Sequence, residues 1–176
     1  GRLPSLGVEI VEVRDEVLAP WGKIVELFAE AAVVHRSWRA EGRQYGPEVE
    51  ARLQIVDKLT IDDYLEAVTW RAKLRQHTAS AFGQVDLLMT PATGATRKPI
   101  GVDTIATPQG DIHYRTVLSC FSALVNSMGC PALVGPLPSE HRPPPGLQII
   151  APWWHEHRLL ETAATLAREG VFQRSW

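Results

Sequence analysis

The stretch Tyr114–Pro152 reads YRTVLSCFSALVNSMGCPALVGPLPSEHRPPPGLQIIAP. Its first part recurs in apolar residues at spacings of three and four, through Val117, Leu118, Phe121, Leu124, Val125 and Met128. That periodicity predicts a helix over Tyr114–Met128, apolar nearly all round and therefore buried, and Gly129 is placed to stop it. A buried strand is expected over Pro131–Leu137. A proline-rich turn spans Pro138–Gly146, and a second strand, Leu147–Ala151, closes the unit. Helix, strand, turn, strand and a following helix give an α/β fold with a mixed β-sheet core flanked by helices.

Working outward, the chain has 176 residues, 45% hydrophobic and 22% charged, which suits one region of ordinary globular composition over 1–176. A formal net charge of −2 provides no field that would draw nucleic acid or an anionic membrane. No apolar run reaches the roughly 20 residues a membrane-spanning helix needs. The start, GRLPSLGVEIVEV, is neither a signal nor a transit peptide, so a cytoplasmic location is expected. It carries no initiator Met, and the expectation is a processed, excised or tag-scarred beginning of something longer. Cys120 and Cys130 lie among apolar residues and read as reduced, buried thiols.

Upstream, Leu6–Val13 alternates imperfectly between apolar residues and Glu9 and Glu12, which predicts an edge strand. Leu18–Arg39 reads as a helix with Pro20 in its first turn and a core stripe of Ile24, Leu27, Phe28, Ala31 and Val34. A short helix, Glu48–Lys58, follows with Val49, Leu53 and Val56 on one side. Thr60 and Asp63 form a capping box for a long helix, Ile61–Phe82. Its expected stripe is Ile61, Tyr64, Leu65, Val68 and Ala72, continued by His77 or Ala79, and Arg71, Lys73 and Arg75 read as a solvated basic face. Val85–Met89 predicts a strand buried on both faces. From Thr90-Pro91 to Asp111 lies a long loop, functional or mobile by its length, with Asp111 as the cap of the Tyr114 helix. The last helix, His155–Glu169, carries Leu159, Leu160, Ala163, Leu166 and Ala167 in register. The tail VFQRSW is expected to be loosely held.

No catalytic centre follows from residue types alone. The set His155, Glu156 and His157 lacks the i, i+4 spacing of a helical zinc site, and no metal is expected. Ser119 and Ser122 have no base in reach and read as hydroxyls bonded to the preceding helical turn.

Several pieces together resemble the amidase signature family. They are Val85-Asp86-Leu87-Leu88-Met89-Thr90-Pro91-Ala92, Pro99-Ile100-Gly101, Phe121–Asn126 with Gly129–Leu133, and Gly146–Pro152, with weaker pieces around Glu30–Arg36, Tyr45–Pro47 and Asp63-Tyr64. The resemblance implies hydrolysis of a carboxamide C–N bond by a Ser–Ser–Lys triad, without a cofactor. That triad belongs to a Gly/Ser-rich half absent from this sequence, so no catalytic residue is assigned. Substrate-binding residues implied by the resemblance are Thr90, Pro91, Ser119, Ser122 and Asn126, one wall of the acyl-side cleft. Their partner is a small-molecule amide, with the missing N-terminal catalytic half completing the site.

Two departures narrow the branch. The family's glutamine-using transamidosome subunits hold an acidic residue at the position of Ser119, and the continuation Pro47-Glu48-Val49 differs from theirs. A general amidase is therefore expected. The shortened, proline-rich Pro138–Pro145 turn departs from the common hairpin and puts strand pairing there in question. The rival reading is a non-catalytic binding or assembly subunit derived from an amidase. Without the other half the chain should leave strand edges and apolar surface uncovered, which favours homo-oligomers.

Overall fold

A computed structural model describes residues 2–19, 25–140 and 143–173. Its elements are α1 (Arg2–Ser5), a 3₁₀ turn (Glu16–Leu18), α2 (Val25–Ala40), α3 (Pro47–Val56), α4 (Ile61–Phe82), β1 (Leu88–Pro91), β2 (Thr104–Thr107), β3 (Gly110–His113), α5 (Tyr114–Met128), β4 (Ala132–Pro136), β5 (Gly146–Ile150) and α6 (Glu156–Arg168). The α/β class holds. Residues 1–22 with 75–176 make one compact unit and residues 23–74 another.

In the first unit β5 is central, with β1 and β4 antiparallel on its two sides. The doubt over pairing across the proline-rich turn is thereby resolved: Ala132 lies opposite Ile150 and Pro136 opposite Gly146. Pro91 and Pro136 each sit at the end of an edge strand, where a missing N–H costs no ladder bond. One sheet face packs on α6. Ile149, Ala151, Leu159, Leu166, Val171 and Phe172 form that core, joined by Leu133 and Leu147.

The long helices obey local rules. Thr60 Oγ1 accepts from Asp63 N–H at 3.2 Å, while Thr60 N–H donates to Asp63 Oδ2 at 2.9 Å, so the expected capping box opens α4. Gly129 ends α5 at φ 70°, a left-handed conformation that suits glycine.

Other expectations are corrected. Leu6–Val13 is not a strand: α1 and a turn precede an irregular run, and Ile10 is 63% exposed. The residues that pack on the core there are Leu3 and Leu6. Leu6–Val13 makes no ladder with any described strand, so its alternation has nothing to pair with. Pro20, Trp21 and Ile24, with the side chains of Leu27 and Phe28, lie outside the described residues. Of the rest of that stripe Ala31 is half-buried and Val34 exposed. In α3, Leu53 and Val56 are buried but Val49 is not.

The buried face of α4 is Ala67, Leu74, Thr78 and Ala81, rotated from the expected stripe. Ile61, Leu65 and Val68 face solvent. Strand β1 starts three residues later than expected and alternates in burial. Strand β4 also alternates, because it is an edge and not an interior strand. The Pro91–Asp111 loop contains the β2–β3 hairpin, and Asp111 lies within β3. The cap of α5 is His113, whose Nδ1 accepts from Arg115 N–H at 3.3 Å. Helix α5 is buried along one side only, with Asn126 exposed on the other.

The tail is also corrected. Val171 and Phe172 are core residues, and Gln173 N–H donates to Pro136 O at 2.8 Å. Phe172 lies flat on Gly135, where an added Cβ would fall 2.5 Å from its ring carbons. Residues 174–176 lie outside the described residues.

Candidate functional site

The region around Thr90 is built by the ladder between β1 and β5. Register places Thr90 opposite Gln148, so both side chains rise from the same sheet face. Gln148 Nε2 donates to Thr90 Oγ1 at 2.9 Å. Gln148 is 4% exposed, a buried polar side chain on the central strand. Thr90 is half-buried and Pro91 exposed. Past the strand, Ala92 N–H donates to Gly146 O at 2.9 Å and continues the pairing by one residue.

The chain then turns onto α5. Thr93 Oγ1 donates to Ala95 O at 2.8 Å, and Gly94 N–H donates to Val117 O at 3.0 Å. A Cβ on Gly94 would lie 2.5 Å from that same carbonyl oxygen and 3.1 Å from Cys120 Sγ. Only glycine lets the loop press this closely on the helix. The Thr90–Gly94 segment and α5 are thus one joined structure.

The polar residues of α5 occupy its other side. Ser119, Ser122 and Asn126 are spaced three and four apart and share a helix face. Val117, Cys120, Leu124 and Met128 line the buried face. Ser119 Oγ donates to Arg115 O at 2.7 Å and Ser122 Oγ to Ser119 O at 3.1 Å, the expected bonds to the preceding turn. Each hydroxyl proton is therefore engaged, and each oxygen keeps lone pairs for accepting. The structure brings Thr90 and Pro91 together in β1, and Ser119, Ser122 and Asn126 together on α5. The loop that follows Pro91 meets α5 through Gly94 at Val117 and Cys120, on the side away from Ser119, Ser122 and Asn126.

The entrance to α5 carries cations on an aromatic ring. Lys98 Nζ lies 4.0 Å from the Tyr114 ring centroid and the Arg115 guanidinium 4.9 Å from it, while His113 stacks on Tyr114 at 4.8 Å. Such placement is a cation–π arrangement. Lys98 is thus held on an aromatic face.

Neither thiol is set up as a nucleophile. Burial pushes Cys120 up, and its Sγ donates to Val117 O at 3.2 Å. Burial pushes Cys130 up to about 11, against the pull of the Arg75 guanidinium. Both are free cysteines. A reactive thiol needs the opposite shift. Among the described residues no three His, Cys, Asp or Glu side chains gather as metal ligands. The rings of His155 and His157 stack, 5.8 Å apart. His155 precedes the helix as its cap, so helical spacing does not govern it.

Gln148, Gly94, Lys98 and Tyr114 carry the local architecture and were not singled out from the sequence. The signal for Gln148 was present: a carboxamide inside the apolar run Leu147–Ile150 must find a partner when buried. Gly94 had no comparable signal, because its need arises from a contact 23 positions along the chain at Val117.

Comparison with known proteins follows the same lines. The profile of the family described as Amidase matches residues 10–160. A glutamyl-tRNA(Gln) amidotransferase chain of Thermus thermophilus is 31% identical over 142 residues, covering 77% of this chain and 28% of that protein. Fatty acid amide hydrolase of Arabidopsis thaliana is 31% identical over 113 residues, covering 64% of this chain and 19% of that protein. A crystal structure of an amidase superposes with a TM-score of 0.81 at 25% identity, covering 94% of this chain and 39% of the other. The chain thus spans from about a fifth to two fifths of the length of these relatives.

Proposed function

Because the chain belongs to the amidase family, we propose that it forms the acyl-side wall of a cleft that hydrolyses carboxamide C–N bonds. In this reading the Ser–Ser–Lys machinery lies outside these 176 residues. The observation that carries it is the polar face of α5. Ser119, Ser122 and Asn126 stand in line on the side of the helix away from its core, and both serine hydroxyls have committed their protons to backbone carbonyls. They are thus acceptors, suited to N–H groups of an amide or its acyl substituents, and unsuited to nucleophilic attack, which requires a base to take the proton. Thr90 and Pro91 lead into the loop whose Gly94 presses on the buried side of α5.

The chemistry is acyl transfer to serine and then to water. The attacking oxygen bonds to the carbonyl carbon, the C–N bond breaks, and the nitrogen leaves as ammonia or an amine carrying the proton the serine lost. Water then cleaves the ester and releases the acid. Preorganised donors for the tetrahedral oxyanion are the largest single contribution to such catalysis. No cofactor takes part.

The test is Ser119→Asp in the product of the whole gene. A carboxylate on the acyl-side wall pairs with a substrate amino group. The ratio of kcat/KM for α-amino carboxamides over plain carboxamides should rise about tenfold, the scale of one charge-assisted hydrogen bond. An unchanged ratio removes Ser119 from the wall.

A second reading is a non-catalytic binding or assembly subunit, small-molecule binding included, which the exposed Ile61, Leu65 and Val68 favour. It requires a stable partner chain and no ammonia release from any carboxamide by the assembled complex.

A further inference from the structure

Buried Gln148, bonded to half-buried Thr90, lies beyond the five residues assigned to the wall. Placing a carboxamide on a central strand is costly unless its hydrogen bonds are made. Gln148 makes one with Thr90 Oγ1 at 2.9 Å, across directly registered positions. By donating, the carboxamide occupies a lone pair of the hydroxyl and leaves the Thr90 proton to donate elsewhere. No other partner of the Thr90 hydroxyl occurs among the described residues. Val134 lies opposite Gln148 on its other side and is 53% exposed.

We propose that Gln148 is a positioning residue that sets the Thr90 hydroxyl as a hydrogen-bond donor to an oxygen on the acyl part of an amide substrate. This rests on the amidase reading above. Thr90 touches the substrate. Gln148 acts only through it, by fixing which way the hydroxyl proton points. A leucine there would leave the hydroxyl free to rotate. A glutamate of the same shape would reverse the polarity: its carboxylate would accept the Thr90 proton and turn the donor away from the substrate. Protonation of that buried carboxyl restores a donor and, with it, the original direction.

The experiment compares wild type, Thr90→Ser, Thr90→Val, Gln148→Glu and the Thr90→Val/Gln148→Glu double variant in the product of the whole gene, with a short aliphatic primary carboxamide across pH. Thr90→Val should lose about tenfold in kcat/KM, chiefly through KM, and Thr90→Ser should keep wild-type values. Gln148→Glu should match Thr90→Val at high pH. It should recover relative to wild type as pH falls through the carboxyl's pKa, which burial raises. The double variant should show no recovery. A flat Gln148→Glu to wild-type ratio, recovery that persists in the double variant, or wild-type KM in Thr90→Val overturns the proposal. If Gln148→Glu fails to fold, Gln148→Leu in the wild-type and Thr90→Val backgrounds decides it: a loss of kcat/KM in the first and none in the second is expected, and an equal loss in both overturns the proposal. Absence of any amide hydrolysis by the wild-type product overturns the amidase reading itself and is a separate result.

Discussion

Replacing Gly135 by alanine tests the packing of the sheet that carries the candidate site. The added Cβ would stand 2.5 Å from three carbons of the Phe172 ring. Ordinary carbon contacts lie near 3.5 Å or beyond, so the ring must retreat by about 1 Å. It has little room, because Phe172 is 5% exposed in the cluster of Ile149, Leu159, Leu166 and Val171. A shift within the core costs about 1–3 kcal/mol, and full ejection of a phenylalanine approaches about 3–5 kcal/mol. We place Gly135→Ala at about 3 kcal/mol and Phe172→Ala at about 4 kcal/mol on these scales. In the Phe172→Ala background the clash vanishes. Alanine then replaces a strand glycine, a change that stabilises by about 0.5 kcal/mol. The sign of Gly135→Ala should therefore reverse. Urea unfolding of the four chains, followed by tryptophan fluorescence, measures it. An equal cost of Gly135→Ala in both backgrounds, or no cost in the first, would refute the ring-on-glycine contact.

Three further outcomes follow from single contacts. Thr60→Ala removes the acceptor that caps α4 and should cost about 1 kcal/mol in urea unfolding, with Thr60→Ser close to wild type. The hydrogen bond from His77 to Asp15, 2.7 Å long, holds the Asp15 carboxyl below its usual range. A depressed carboxyl contributes stability that is fully present above its unfolded value, about 3.9, and is lost as pH falls through the lower folded value. Wild type should thus lose its advantage over Asp15→Asn only below about pH 4, as read by unfolding midpoints across pH; an advantage unchanged down to about pH 2 would contradict it. Cys130, pushed up to about 11, should resist alkylation by iodoacetamide near neutral pH in the folded chain and react once the chain is unfolded in urea.

What the sequence made legible was local. The bounds of α4 and α5 came out correctly because each has a terminal device: the Thr60–Asp63 box in one, the left-handed Gly129 in the other. What failed depended on distant parts of the chain. Alternation in Leu6–Val13 needed a neighbouring strand and has none among the described ladders. The stripe of α4 was read by counting apolar residues, but Thr78 and small alanines took the buried side, leaving Leu65 in solvent. The β2–β3 hairpin was hidden in a long loop, although Thr104–Thr107 followed by Pro108-Gln109-Gly110 is a strand-and-turn pattern. The tail looked polar at its end, yet Phe172 found its place because Gly135 leaves a flat surface for a ring. Thr90, Pro91, Ser119, Ser122 and Asn126 are proposed for the wall through the family resemblance alone, and no pattern in their own residue types marked them. Gln148 and Gly94 were not legible, because their importance lies in cross-strand register and in a loop-to-helix approach.

Ammonia release from a panel of primary carboxamides is the most direct test of the central claim, measured with the purified 176-residue chain beside the product of the whole gene. We predict none from the chain and turnover from the whole product, with covalent labelling by a fluorophosphonate at a serine outside these residues. Turnover by the chain alone, titratable to one site per molecule, would contradict the account.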